Sequence, residues 1–149
     1  MRRSLLLSLL LLALVAAPAG AAERRLWATV NVCDTAAHPD EIGIRASLPA
    51  RRPRAAVRFR VQYRDAASGR WRWVKAADSG WRRARGARES GWSFEVAGAG
   101  TRILRGVVDY RWRSKRAVVR RARRVTEVGH RSTAGADPPD FSAATCRIS

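Results

Sequence analysis

Few side chains in this 149-residue chain have both the chemistry and the spacing of a catalytic or metal site. His38 and His130 lie in predicted loops, and neither has a second cluster of ligand-type residues beside it. Cys33 and Cys146 are too far apart in sequence to give the close cysteine pairs of a zinc site. These patterns do not support a metal centre, and we expect both histidines to be plain surface residues.

Catalytic motifs are missing as well. The chain contains no Gly-x-Ser-x-Gly nucleophile elbow, no phosphate-binding glycine loop and no His-Glu-x-x-His helix. Asp137 and Asp140 flank two prolines, which is typical of a solvated linker rather than of an acid–base pair. We therefore predict that the protein is not an enzyme and uses no cofactor. A hydrolase without a recognisable motif is the alternative left open.

Arginine is the residue type that could bind a ligand. The chain has 30 lysines and arginines against 12 acidic residues, a formal net charge of +18, and Lys75 and Lys115 are its only lysines. Such an excess indicates a polyanionic partner. The chain is also rich in alanine and glycine, so the codon bias of a GC-rich coding sequence explains why arginine replaces lysine. Codon bias does not explain the scarcity of acidic residues, and both interpretations stay open.

Two arginine clusters are the candidate polyanion-binding residues. They are Arg82, Arg83, Arg85 and Arg88, which follow Trp81 in a predicted loop, and Arg120, Arg121, Arg123 and Arg124, in the last long predicted strand. Trp81 is a candidate for stacking on a sugar or a base. The alternative for the strand cluster is a protective role at a sheet edge. There, with Ala122 at a bulge or one arginine pair at the rim, the charge would prevent pairing with other chains.

The first residues have the pattern of an export signal. Met1-Arg2-Arg3 is a basic segment, Leu5 to Ala17 is apolar, and Ala19-Gly20-Ala21 is a small-residue cleavage site. The pattern indicates a Sec-type signal, with a Tat signal as the alternative because of the twin arginines. We expect residues 1–22 to be a signal peptide and residues 23–149 to form one secreted or cell-envelope-associated domain. No later segment is apolar enough to span a membrane.

An oxidising compartment makes a disulfide between Cys33 and Cys146 the expected pairing. Such a link would close almost the whole domain. It would contribute roughly 4 to 5 kcal/mol in the loop-entropy description of disulfides. Unlinked thiols or an intermolecular bridge are the alternatives.

Alternation of apolar and polar residues predicts a chain made of strands. In the segment Leu104 to Trp112, Leu104, Gly106, Val108, Tyr110 and Trp112 share one face. We expect this strand to form a hairpin with Ala117 to Val125 through Ser114-Lys115-Arg116. Five further short strands are predicted, namely Leu26 to Cys33, Ile42 to Leu48, Val57 to Arg64, Trp71 to Val74 and Trp92 to Val96.

The segments between these strands are predicted turns and loops. Asp34 to Asp40, Asp65 to Arg70 and Gly98 to Gly100 have turn-forming residues, and Ser79 to Gly91 is basic and without periodicity. Residues 129–140, with two prolines, are predicted to be a polar linker to the C-terminal segment.

Four of the six tryptophans fall on the apolar phase of their predicted strands. They are Trp71, Trp73, Trp92 and Trp112, and we expect all four to be core residues.

About seven short alternating segments without a helical period predict an all-β fold, a single antiparallel β-sandwich. The pattern resembles the immunoglobulin-like and fibronectin type III-like superfold. More narrowly, Val57 to Tyr63, Trp71-Arg72-Trp73 and Val108 to Trp112 resemble small exported immunoglobulin-like proteins of high-GC bacteria, over roughly Val57 to Val125. Leu104 departs from that pattern, because such sheets often carry a tyrosine there. The group has no assigned activity, so the resemblance implies a fold and no chemistry.

The sequence therefore predicts a secreted, non-catalytic binding or structural module. An anionic cell-envelope polymer and another extracellular protein are the partners left open, and export argues against intracellular nucleic acid.

Overall fold

A computed structural model describes residues 25–49, 54–84, 88–96, 98 and 100–149. The predicted signal peptide, residues 1–22, and the candidate Arg85 lie outside these residues, as does Ala99 of the predicted Gly98 to Gly100 turn. The described part of the chain forms nine strands and no helix. They are β1 (Ala28–Thr35), β2 (His38–Ser47), β3 (Arg54–Arg64), β4 (Trp71–Asp78), β5 (Arg82–Arg83), β6 (Glu89–Glu95), β7 (Arg102–Ser114), β8 (Ala117–Val125) and β9 (Cys146–Ile148).

The strands form two antiparallel sheets. The small sheet has the order β1-β2-β6, and the large sheet has the order β4-β3-β7-β8, with β5 paired to β3 and β9 paired to β7. The predicted antiparallel β-sandwich is confirmed. The seven predicted strands are all present, and the two additional strands, β5 and β9, are only two and three residues long. Strands this short show no alternation that a sequence could reveal.

The core lies between the sheets and follows the predicted alternation. Strands β3 and β7 form ten residue pairs from Arg54↔Arg113 to Tyr63↔Leu104, and Phe59 and Val108 meet at the centre of this ladder. Gly106 is required on this inner face, because a Cβ there would lie 2.6 Å from Thr126 Cγ2 and 2.8 Å from Ile44 Cδ1. The small and large sheets therefore approach each other closely at this position.

Both faces of β1 are buried, because the C-terminal segment lies against it. Val30 and Ala143 exchange two backbone hydrogen bonds of 2.9 and 3.0 Å, and the Asn31 side-chain amide donates to the Gly135 carbonyl at 3.0 Å. The segment predicted as a polar linker is thus hydrogen-bonded to β1. Cys33 and Cys146 form the predicted disulfide, with their Cα atoms 5.3 Å apart, and β9 joins the large sheet beside it.

One predicted turn and one predicted loop differ from the structure. Strands β1 and β2 pair as far as Thr35 and His38, so the turn predicted over Asp34 to Asp40 is shorter. Asp34 and Asp40 both have positive φ, which accommodates the register shift at this end of the hairpin. The loop predicted over Ser79 to Gly91 contains β5 and the beginning of β6. The turn at residues 65–70 is as predicted, and the predicted hairpin of β7 and β8 turns at Lys115 and Arg116, with Ser114 paired to Ala117.

No described helix is long and apolar enough to cross a membrane.

Candidate functional site

The two sheets differ strongly in charge. The strands of the small sheet carry one arginine, Arg45, against five carboxylates. The strands of the large sheet carry seventeen arginines and lysines against two aspartates, Asp78 and Asp109. The net positive charge of the described strands therefore belongs entirely to one sheet.

Strand register places most of this charge on the outer face of the large sheet. Because side chains alternate along a strand, the residues between the buried positions of β3 and β7 point away from the small sheet. The pairing of β7 with β8 adds Arg121 opposite Arg111 and Arg123 opposite Asp109. The arginines of this face on β3, β7 and β8 are Arg54, Arg58, Arg60, Arg64, Arg105, Arg111, Arg113, Arg121 and Arg123.

Tryptophans lie on the same face, each beneath a guanidinium group. Arg105 stacks on Trp71 at 4.1 Å from the guanidinium carbon to the ring centroid, and Arg60 stacks on Trp73 at 3.9 Å. Trp81 is covered in the same way. Each stack combines a cation–π attraction with burial of the arginine stem. The guanidinium groups of Arg60, Arg105 and Arg111 are therefore held in place on this face.

The prediction that four tryptophans are core residues is wrong for three of them. Trp112 is 4% exposed and belongs to the core, but Trp73 is 40% exposed and Trp71 is half-buried. Strand β4 pairs so that Trp71 and Trp73 lie opposite Arg64 and Gln62, which are on the outer phase of β3. Alternation shows that two residues share a face, but it does not show which face is inside.

Trp92 is the third tryptophan that is not a core residue. It pairs with the buried Ile44 and so is on the inward side of its strand, but that strand, β6, is at the edge of the small sheet. There the sandwich margin is open, and Trp92 is 37% exposed. Arg82 covers the ring at 4.0 Å. The predicted polyanion residue Arg82 therefore bridges the two sheets at their margin.

Asp109 is the carboxylate at the centre of the outer face. It is 9% exposed and accepts hydrogen bonds from Arg60 at 2.5 Å and from Arg123 at 2.6 Å. The other aspartate of these strands, Asp78, pairs with Arg58. Arg58 holds the pKa of the Asp78 carboxyl below its usual value, chiefly through their hydrogen bond. Both strand carboxylates of the large sheet are thus already engaged by arginine.

Among the described residues, Arg111 has no such carboxylate partner. Its Nε is buried and no described residue accepts a hydrogen bond from it, and its guanidinium carbon lies 4.1 Å from the centroid of the Trp81 ring. Desolvation lowers the pKa of Arg111, and the charges of Arg113, Arg121 and Arg58 lower it further. The candidate stacking residue Trp81 therefore already has one ring face occupied by arginine.

Of the first predicted cluster, Arg82 and Arg83 lie on β5 beside β3, and the second cluster lies on β8 at the opposite edge of the large sheet. Strand β8 is an edge strand, as the protective role requires. Its bulge is at Val119, because Trp112 pairs with Arg120 and the next residue, Arg113, pairs with Val118. The prediction of a bulge at Ala122 is wrong, since Ala122 pairs regularly with Tyr110. The bulge lies beside the hairpin turn, where the strand ends have room to diverge.

Within the β8 cluster, only Arg121 and Arg123 belong to the outer face. Arg124 donates from Nε to the Leu26 carbonyl at 2.8 Å, and Arg120 lies 4.7 Å from the Trp112 ring centroid, so both contact the margin of the core. In the other cluster, Arg83 lies opposite Ala56 on β3, and Arg88 is exposed before β6. Arg82 and Arg83 do not form one site with the β8 cluster, because β3 and β7 lie between them.

Sequence reasoning missed the outward arginines of β3 and β7. The signal was present, since Arg58 and Arg60 alternate with apolar residues in the clearest strand pattern of the chain. The three arginines of the predicted strand Val57 to Arg64 are compatible with simple solvation, however. Only the register of β3, β7 and β8 shows that the three strands bring their arginines together.

No group of three or more histidine, cysteine, aspartate or glutamate side chains among the described residues is placed to hold a metal ion. Comparison with protein-family models, with curated proteins and with solved structures finds no match.

Proposed function

We propose that the protein is an exported, non-catalytic binding module that attaches to anionic polymers of the cell envelope through the outer face of its large sheet. We further propose that the sandwich is immunoglobulin-like, of the fibronectin type III-like kind. Its strand orders, β1-β2-β6 facing β4-β3-β7-β8, support that assignment.

The observation that carries the proposed function is the segregation of charge. Codon bias acts on the whole chain and would place arginine on both sheets, whereas seventeen basic residues lie on the strands of one sheet and one on those of the other. Clustered like charges repel one another, and a bound polyanion relieves that repulsion. The face also suits an extended ligand, because the ten steps from Arg54 to Arg64 along β3 span roughly 33 Å.

Edge protection is the second candidate role for the arginines. Arg121 and Arg123 lie on the edge strand β8, where charge opposes pairing with another chain. That role accounts for arginine on β8 but not for the arginines of β3 and β7, which are interior strands of the sheet.

The test compares two triple variants that lose the same charge. The face variant replaces Arg64, Arg121 and Arg147 by glutamine; all three are exposed and lie on the outer phase of the large sheet. The control variant replaces Arg25, Arg45 and Arg131, none of which is on the large sheet.

Retention is measured as a function of salt on heparin, on immobilised polyphosphate and on polyglutamate. The face variant should elute at lower salt. The slope of log affinity against log salt should decrease in magnitude by about 2 to 3, because one counter-ion fewer is released for each lost contact. The control variant should behave like the wild type. An equal loss in both variants would mean that retention follows net charge alone, which would contradict a binding face.

A further inference from the structure

A cleft of about 620 Å³ lies at one end of the cationic outer face. Its floor is the small side chain of Ala56 on β3, which has Arg83 of β5 opposite it on one side and Arg111 of β7 on the other. Strand β5 is only two residues long and contributes Arg83 to the lining of this space. Trp81 forms one wall.

The lining of the cleft is basic. It contains Arg54, Arg83, Arg111, Arg113 and Lys115, and no carboxylate is found among the described residues that line it. Arg54 and Arg113 are direct cross-strand partners, an arrangement that is destabilising for like charges. Asp78 and Asp109, the aspartates of the large-sheet strands, are paired with arginines elsewhere on the face. The cleft therefore collects positive charge that these carboxylates do not neutralise.

Arg111 is positioned in this cleft before any ligand arrives. Its guanidinium is stacked on Trp81, so ordering it on binding would lose little side-chain entropy. Its Nε donor is buried, and none of the residues that the structure describes accepts a hydrogen bond from it, an arrangement that costs free energy unless a ligand does so. The planar guanidinium fork matches two oxygens of a phosphate or sulfate group.

We infer that the cleft over Ala56 binds one tetrahedral oxyanion, a phosphate or sulfate group, with Arg111 as the fixed donor and Arg54, Arg83 and Arg113 closing around it. This inference rests on the proposed function, in which that group is carried by an anionic polymer lying along the outer face. A tetrahedral oxyanion presents oxygens in several directions and so accepts from donors on both sides of the cleft. A planar carboxylate has only two oxygens for the same donors.

The test introduces a carboxylate of the protein itself into the cleft. In an Ala56→Glu variant, a carboxylate stands on the floor of the cleft between Arg83 and Arg111 and occupies the site. The matched control is Gln62→Glu, which adds the same charge to the outer face of the same strand, where Gln62 already accepts a hydrogen bond from Arg105. Binding of inorganic phosphate and of sulfate is measured by isothermal titration calorimetry at constant ionic strength.

We expect wild-type protein and Gln62→Glu to bind with affinities within about threefold of each other, and Ala56→Glu to bind at least tenfold more weakly. Ala56→Glu should also melt at a higher temperature than the wild type without added anion, which excludes misfolding as the cause of lost binding. No binding by the wild type, or unchanged binding by Ala56→Glu, would overturn the inference.

Competition with polyphosphate and with heparin identifies the source of the group, since the better-matched polymer displaces the calorimetric signal of the free ion at lower concentration. The inference and the proposed function fail separately. Retention of the face and control variants on polymer tests the function, and binding of the free ion tests the cleft.

Discussion

Replacing Asp109 by asparagine would remove the carboxylate at the centre of the cationic face. Asp109 accepts hydrogen bonds from Arg60 and Arg123, and Arg60 also stacks on Trp73. Asparagine keeps the size of the side chain and one acceptor oxygen but no charge. The two guanidinium groups would then face each other, and the other arginines of the sheet, without compensation.

The size of the effect follows from how well each pair is shielded from water. Breaking a buried ion pair by removing one partner costs about 3 to 5 kcal/mol, whereas an exposed pair contributes about 1 kcal/mol or less. The side chains of Asp109 and Arg60 are 13% and 18% exposed, but that of Arg123 is 57% exposed. The cost of breaking the Arg60–Asp109 pair therefore lies near the lower end of the range of about 3 to 5 kcal/mol for buried pairs, at about 3 kcal/mol. The introduced asparagine recovers part of this free energy, because its side-chain oxygen still accepts a hydrogen bond. We expect a loss of roughly 2 to 3 kcal/mol in the free energy of unfolding.

Urea unfolding followed by tryptophan fluorescence measures this loss. Asp78→Asn is the control, because the side chains of Arg58 and Asp78 are 31% and 32% exposed, and it should cost about 1 kcal/mol or less. Equal losses in the two variants, or a stability of Asp109→Asn unchanged from the wild type, would refute the idea that a shielded carboxylate holds the arginine face together.

Three further outcomes follow from particular contacts. Tyr110→Phe should lose about 1 kcal/mol in urea unfolding, because the Tyr110 hydroxyl donates to the Ser47 carbonyl at 3.0 Å across the two sheets; Tyr63→Phe is the control, and an equal loss there would contradict this assignment. Replacing Cys33 and Cys146 by serine should lower the unfolding free energy by roughly 4 kcal/mol, since the bridge spans 113 residues, and should speed amide exchange in residues 129–145; unchanged exchange would show that this segment is held without the disulfide. The free energy of unfolding should fall as pH drops below about 4, because the pKa of Asp78 is lower in the folded protein than in the unfolded chain. The unfolded chain therefore binds the proton at a higher pH than the folded protein does, and protonation favours unfolding. This fall should be smaller in Asp78→Asn, and an identical pH dependence would assign it to other groups.

The fold was predictable because each long strand has one buried face. Val57, Phe59 and Val61 alternate with polar residues, and the same period runs from Leu104 to Trp112, so strand positions follow from the pattern alone. The disulfide followed from having only two cysteines. Strands β5 and β9 did not follow, because each exists only through its pairing with β3 or β7.

The candidate site was predictable only in part. The sequence drew attention to Arg121 and Arg123 as members of a dense run, but not to Arg60, Arg105 or Arg111, which are spaced along ordinary strands. Tryptophan was misleading for a physical reason: Trp71 and Trp73 are large enough to belong in a core, yet they serve as platforms for arginine on the outer face. Which face an aromatic residue occupies depends on strand register, and register depends on the whole sheet.

An NMR titration of isotope-labelled protein with a heparin oligosaccharide tests the binding face most directly. Indole signals of Trp71, Trp73 and Trp81 report on the outer face of the large sheet. Trp27 is an internal reference, because it directly precedes β1 of the small sheet and its ring is stacked on His130. We expect saturable shifts of the first three indole signals and of the Arg111 Nε–H, with Trp27 unchanged. Shifts centred on Trp27 and the small sheet, or weak shifts spread over the whole surface, would contradict a polyanion-binding face on the large sheet.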